Sequence, residues 1–277
     1  AYAHLLVSTL RQNRQLQIGI HLGLMVVSFL LLPITPPESL KPDGTGDPIW
    51  GIVELLLRTV GLPYIVISAS GPLLQHWFSE AQPGKSPYRL YAVSNLGSLL
   101  GLLSYPFLVE PNLGVKSQTL TWTGGYVIYA LLAAACGWLF FNAKPVKSTT
   151  EETSEESEAK PPSWLNRILW VTFAALGSIL LLATTNQMTQ DVAVVPLLWV
   201  LPLSLYLITF IIAFDAERWY FRPVWIPLSA VSIFLLIWLL RQDYDHEVPL
   251  VFQIAIYCLA TFASCMVCHG EMVRRKP

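Results

Sequence analysis

The stretch Asn142–Ser163, NAKPVKSTTEETSEESEAKPPS, decides how the rest of this chain is read. It holds five glutamates, three lysines and three prolines and no aromatic residue. Too little apolar surface is available there to offset the entropy of ordering it, so the stretch reads as a disordered, solvated linker. Its backbone groups would find no hydrogen-bond partners in hydrocarbon, so it must emerge on one side of a membrane. Fixing that side fixes every other loop.

On both sides of the linker the chain is apolar. Of 277 residues, 54% are hydrophobic and 13% charged, and the mean hydropathy is +0.52. Crossing hydrocarbon roughly 30 Å thick takes about 20 apolar residues, and runs of that length recur throughout. The fold expected is all-α, a polytopic membrane helix bundle with about eight complete transmembrane helices and a partial one, in two halves. Complete spans are placed at 16–34, 50–75, 90–109, 120–141, 165–184, 193–214, 224–240 and 249–268, after a partial helix over 1–10. The domain organisation expected is an N-terminal membrane half at 1–141, the acidic linker at 142–163 and a C-terminal membrane half at 164–277, with both halves truncated. The opening AYAHLLVSTL is too short to span and lacks a cleavage site, as expected of a fragment starting within a helix.

Alternating sides outward from the linker puts thirteen of the seventeen basic residues on its face. Only Lys41, Lys116 and Arg241 fall opposite, and Arg58 lies within a span. That bias makes the linker and the C-terminal end cytoplasmic. Nucleic acid is not indicated, and the lipid bilayer is the evident partner. Cys136, Cys258, Cys265 and Cys268 all fall in or at the end of apolar runs, where thiols pack as small hydrophobes and imply no disulfide framework. Prolines at 63, 72, 106, 196, 202 and 227 should bend their spans. The Gly19/Gly23 and Gly97/Gly101 pairs could admit a close helix neighbour.

Three constellations could carry chemistry. Glu54 and Arg58 lie four residues apart on one helical face and can pair as acid before base. Either they line a functional interior, since ionisable groups at membrane depth are costly, or they fix the helix at the interface. The run Thr184–Asp191, TTNQMTQD, contains no Gly or Pro. Thr185, Asn186, Gln187, Gln190 and Asp191 could offer a polar solute donors and acceptors, with Asp191 attracting a cation; the plainer alternative is a capped helix start. Asn95, about two turns into the third span, either glues helices together or lines a path. The third constellation, Cys265-Met266-Val267-Cys268-His269, has the C-x-x-C-H form of haem attachment, but at the end of an apolar helix on the linker face. A zinc site of Cys265, Cys268 and His269 is a weaker alternative to buried structural thiols. No phosphate-cradling glycine loop, catalytic triad or dinucleotide fingerprint is present, so no catalytic residue and no cofactor is assigned.

The segments SASGPLLQHWF (68–78), SPYRLYAVSNLGSLLGLLSYPFLVEP (86–111), TTNQMTQDVAVVPLLWVLPLSLYLITF (184–210) and CHGEMVRRKP (268–277) resemble the membrane half of bacterial fused major-facilitator-type transporter/spermidine synthase proteins. The resemblance implies a bacterial inner (plasma) membrane location and an aminopropyltransferase-like domain in cis at the cytoplasmic face. It also implies a major-facilitator-like arrangement of two halves. Where that superfamily carries a charged, glycine-containing loop, this chain has Ser8–Arg14, STLRQNR. The leading expectation is a transporter-type domain for a small polar or cationic solute such as a polyamine, bound by Glu54, Arg58, Asn95 and the 185–191 run. The alternative is a non-transporting membrane anchor and docking module for the enzyme domain, whose intramembrane polar groups would pair with one another around a filled core.

Overall fold

The structure, a computed structural model, describes residues 2–11, 13–35, 48–82, 87–142, 163–192, 197–241 and 248–275. The linker residues 143–162 and the outer loop at 36–47 lie outside the described residues. The described chain is helical throughout and contains no strand. In order the helices are α1 Tyr2–Thr9, α2 Arg14–Ser28, α3 Pro48–Leu56, α4 Leu62–Ala81, α5 Tyr88–Ser104, α6 Glu110–Asn112, α7 Val115–Asn142, α8 Trp164–Gln187, α9 Val200–Asp215, α10 Arg222–Leu240 and α11 Leu250–Arg274. Seven segments among them are long and apolar enough to cross a bilayer, so this is an integral, multi-pass membrane protein. The Asn13 side chain caps α2 by accepting from the Leu16 amide at 2.9 Å, and the Ser163 hydroxyl accepts from the Asn166 amide at the head of α8.

Proline chemistry shapes two of the spans. The segment Leu57–Gly61 widens into a π-turn immediately ahead of Pro63, which has no N–H to offer the Thr59 carbonyl, and α3 and α4 run through it as one segment, Pro48–Ala81. A second π-turn, Tyr105–Val109, contains Pro106, and a third, Met188–Val192, extends α8. The span expected at 50–75 is thus longer at both ends. That expected at 193–214 is shorter: α9 has 16 residues, about 24 Å at 1.5 Å per residue. Leu197 adopts φ 65°, the left-handed region, so the chain turns there instead of continuing a helix.

The helices form two compact units. The first comprises residues 1–87 and 109–149, the second 88–108 and 150–277. This division differs from a cut at the linker, because α5 packs along α9 in the second unit. In the first unit α2 lies against α4 and α7. Leu6, Ile18, Ala69, Leu73 and Trp77 form one buried cluster, and Met25, Val66, Tyr126, Ala130 and Ala133 another. Gly137 is where the backbones approach: a Cβ there would sit 3.1 Å from Ile18 Cγ2. At Gly19, Gly23, Gly97 and Gly101 a Cβ would meet nothing within 4 Å, so those pairs make no close contact among the described residues.

In the second unit α11 is the central helix, packed by α8, α9 and α10. Its small residues Ala260, Ala263 and Ser264 are buried and let three neighbours close in. Large apolar side chains such as Leu131, Leu139, Ile179 and Phe234 point outward, as expected where the solvent is lipid.

Candidate functional site

Glu54 and Arg58 do pair, at 2.7 Å, with both side chains more than half exposed on the first unit. Asn95 lies in the second unit and donates its amide to the Tyr91 carbonyl one turn back at 2.8 Å. Of the polar run, Thr184 is buried and accepts from Thr261 Oγ1 at 2.8 Å, while Thr189 folds back onto the Thr185 carbonyl at 2.8 Å. Asn186 and Gln190 are exposed, Thr185 and Gln187 are half-buried, and of Asp191 only the backbone is described. Met188, apolar and fully buried, sits in their midst. The eight candidates therefore divide between two units, and those on α8 present several orientations.

The deeper polar groups are elsewhere, and they come in closed chains. In the first unit His21 Nε2 lies 2.9 Å from Ser70 Oγ, and Ser70 donates its only hydroxyl proton to the Val66 carbonyl at 2.8 Å. His21 Nδ1 lies 3.4 Å from the Tyr2 hydroxyl, so the ring bridges Tyr2 and Ser70. Gln17 is used at both ends: Nε2 donates to the Leu10 carbonyl at 2.9 Å and Oε1 accepts from Trp77 Nε1 at 3.0 Å. The Ser28 hydroxyl donates to the Met25 carbonyl and shares a hydrogen bond with the Tyr126 hydroxyl.

The second unit repeats the pattern. Thr209 donates to the Tyr206 carbonyl at 2.7 Å, and its Oγ1 lies 3.1 Å from His269 Nδ1. The His269 ring is held edge-on by Tyr206 and Phe210, with centroids 4.9 and 4.8 Å away. Ser229 and Ser264 share a bond at 3.0 Å. The Tyr2–His21–Ser70, Tyr126–Ser28 and His269–Thr209 chains each run from side chain to side chain and reach a carbonyl of a helix.

At the end of α11 stands the most polar cluster. Glu271, 8% exposed at its side chain, accepts from Arg222 Nε and Nη2 at 2.6 Å each, and from the Tyr220 hydroxyl at 2.9 Å. Arg275 leans on the same carboxylate at 3.6 Å. Burial, reinforced by the bond to Glu271, pushes the Tyr220 hydroxyl well above the ordinary phenol range, so it remains a donor.

The weaker metal alternative is not assembled. The Cys265 thiol points at the Gly177 carbonyl, Glu271 is taken by Arg222, and His269 by Thr209. Among the described residues no three His, Cys, Asp or Glu side chains converge to hold a metal. A cavity of about 540 Å³ lies between α5 and α9, lined mainly by apolar side chains such as Leu102, Pro106, Leu203 and Leu207, with Ser98 and Tyr105. None of the sequence-selected polar residues lines it.

His21, Gln17 and Ser70 were not singled out by the sequence reading. Their signal was present as polar residues inside apolar runs, in QLQIGIHLGL and ISASGPLL. No family model, curated protein or solved structure matches this chain.

Proposed function

We propose that this chain is a membrane anchor and docking module of a bacterial inner-membrane protein, of the fused transporter/spermidine synthase kind it resembles. It would hold an aminopropyltransferase-like domain in cis at the cytoplasmic face and pass no solute itself. The observation carrying this reading is the way the buried polar chains end. Tyr2–His21–Ser70 stops at the Val66 carbonyl and His269–Thr209 at the Tyr206 carbonyl. A polar solute needs unspent groups to replace its water, and desolvating a cation without them is prohibitive. The cavity between α5 and α9 is mainly apolar and offers few such groups.

The test is spermidine uptake into proteoliposomes containing the purified chain, driven by an imposed gradient and compared with protein-free liposomes. The anchor reading expects no difference. Saturable uptake that falls with Asp191→Asn would overturn it.

One observation favours the transport reading. The α8–α9 connection is a π-turn, Met188–Val192, followed by left-handed Leu197, and interrupted helices at membrane depth are a device of transporters. In that reading the exposed Asn186 and Gln190 would meet the solute first.

A further inference from the structure

Antiparallel packing brings five helix ends of the second unit to one side. Arg222 and Tyr220, at the head of α10, bind Glu271 at the foot of α11. Trp170, near the head of α8, donates its Nε1 to the Arg275 carbonyl at 3.1 Å. The Arg89–Asp215 pair at 3.8 Å joins the head of α5 to the foot of α9. Among the described residues charge is unbalanced at this rim. Besides that pair it carries Arg167, Arg218, Arg222, Arg274 and Arg275, five guanidiniums, against Glu217 and Glu271.

The five arginines differ in what holds them. Arg222 and Arg275 converge on one carboxylate, and Arg222 spends two donors there. Two others lie over tryptophan rings: Arg167 Cζ is 5.1 Å from the Trp164 centroid, and Arg218 Cζ is 5.3 Å from the Trp219 centroid. Those rings are 77% and 50% exposed, so each stack stands at the surface. Arg274 is also exposed. A guanidinium stacked on an aromatic face keeps its edge N–H groups free for a second partner, and its planar fork matches the oxygens of a phosphate. Tryptophan of this exposure belongs at the depth of lipid headgroups, where its ring is wetted on one edge only.

We propose that the arginine–tryptophan rim of Arg167, Trp164, Arg218, Trp219 and Arg274 binds the phosphate headgroup of an anionic phospholipid in the adjoining leaflet. The headgroup meets guanidiniums that the Glu271 cluster does not occupy, and the acyl chains run down the apolar flanks of α8 and α10. Net charge sets the preference for an anionic over a zwitterionic lipid, each basic residue near the surface contributing roughly fivefold. The proposal is independent of whether the bundle transports or anchors, because the rim lies at the helix ends.

The test is native mass spectrometry of the full chain released from nanodiscs of equal parts phosphatidylglycerol and phosphatidylcholine, counting the lipids that stay bound. Phosphatidylglycerol is expected to be retained tenfold or more over phosphatidylcholine. The triple variant R167Q/R218Q/R274Q, which spares Arg222, Arg275 and Glu271, should bring the two to parity with unchanged helical content. Should that variant not fold, R167K/R218K/R274K keeps the charge and loses the planar fork, and a several-fold weaker preference is expected. Parity in the unsubstituted protein, an undiminished preference in the variant that folds, or displacement of the lipid by millimolar inorganic phosphate would each overturn the proposal.

Discussion

Arg222 grips Glu271 with two parallel hydrogen bonds of 2.6 Å, Nε to Oε1 and Nη2 to Oε2, tying the head of α10 to the foot of the central helix. Removing Arg222 takes the main partner from a carboxylate that is 8% exposed, and removing Glu271 leaves converging guanidiniums without their counter-charge. Glu271→Ala and Arg222→Ala are each expected to lower the melting temperature in detergent. The double variant should lose less than the sum of the two, which a double-mutant cycle measures. Additive losses would mean that the pair is not coupled. Tyr220→Phe should cost about 1.5–3 kcal/mol, one hydrogen bond to a charged acceptor.

Gly270 lies against the flat face of Tyr220, and a Cβ built there would overlap the ring carbons. A ring has no flexible tip to give way, so Gly270→Ala should destabilise by about 3 kcal/mol or more. At Gly137 the atoms in the way are methyl groups of Ile18 and Leu22 at 3.1 and 3.2 Å, and Ala should cost about 1 kcal/mol. At Gly97 nothing lies within 4 Å, and Ala is expected to be neutral or stabilising. Thermal melts of the three variants test the order.

Gln17 satisfies both the Leu10 carbonyl and the Trp77 indole. Gln17→Leu leaves two buried groups without partners and should cost about 2–4 kcal/mol in chemical unfolding. Trp77→Phe in the same background should recover part of the loss.

Glu54 and Arg58 form an exposed pair on one helix. Such pairs contribute about 0.3–0.5 kcal/mol, so Glu54→Gln should leave expression and melting almost unchanged. A large loss of function at full stability would place this pair in a solute path.

The hydropathy of the chain made the helical class, the positions of most spans and the common face of Arg89, Arg167, Arg222 and Arg275 legible. The structure brings the helix ends bearing those four residues to one side of the second unit. Helix lengths were less legible: Leu197 turns where an unbroken apolar run reads as a continuing span, and α4 carries on to Ala81 past the last apolar stretch. The partnership of α5 with α9 was not legible at all, since two apolar faces carry no mark of which neighbour they meet. The buried histidines were visible as letters and invisible as pairs. Whether His21 faces Ser70 or lipid depends on how α2 and α4 are rotated, and a lone sequence does not encode that openly.

The closed polar interior can be probed with the thiols the chain already has. Cys265 and Cys268 are buried on α11 beside Gly177 and His269. In a Cys136→Ala/Cys258→Ala background, a charged methanethiosulfonate reagent is applied from each side of the reconstituted protein and adducts are counted by mass. The expected result is no modification of either thiol until the protein is unfolded in sodium dodecyl sulfate. Rapid labelling of Cys265 or Cys268 in the folded protein, slowed by spermidine, would contradict a sealed core and establish a water-filled path instead.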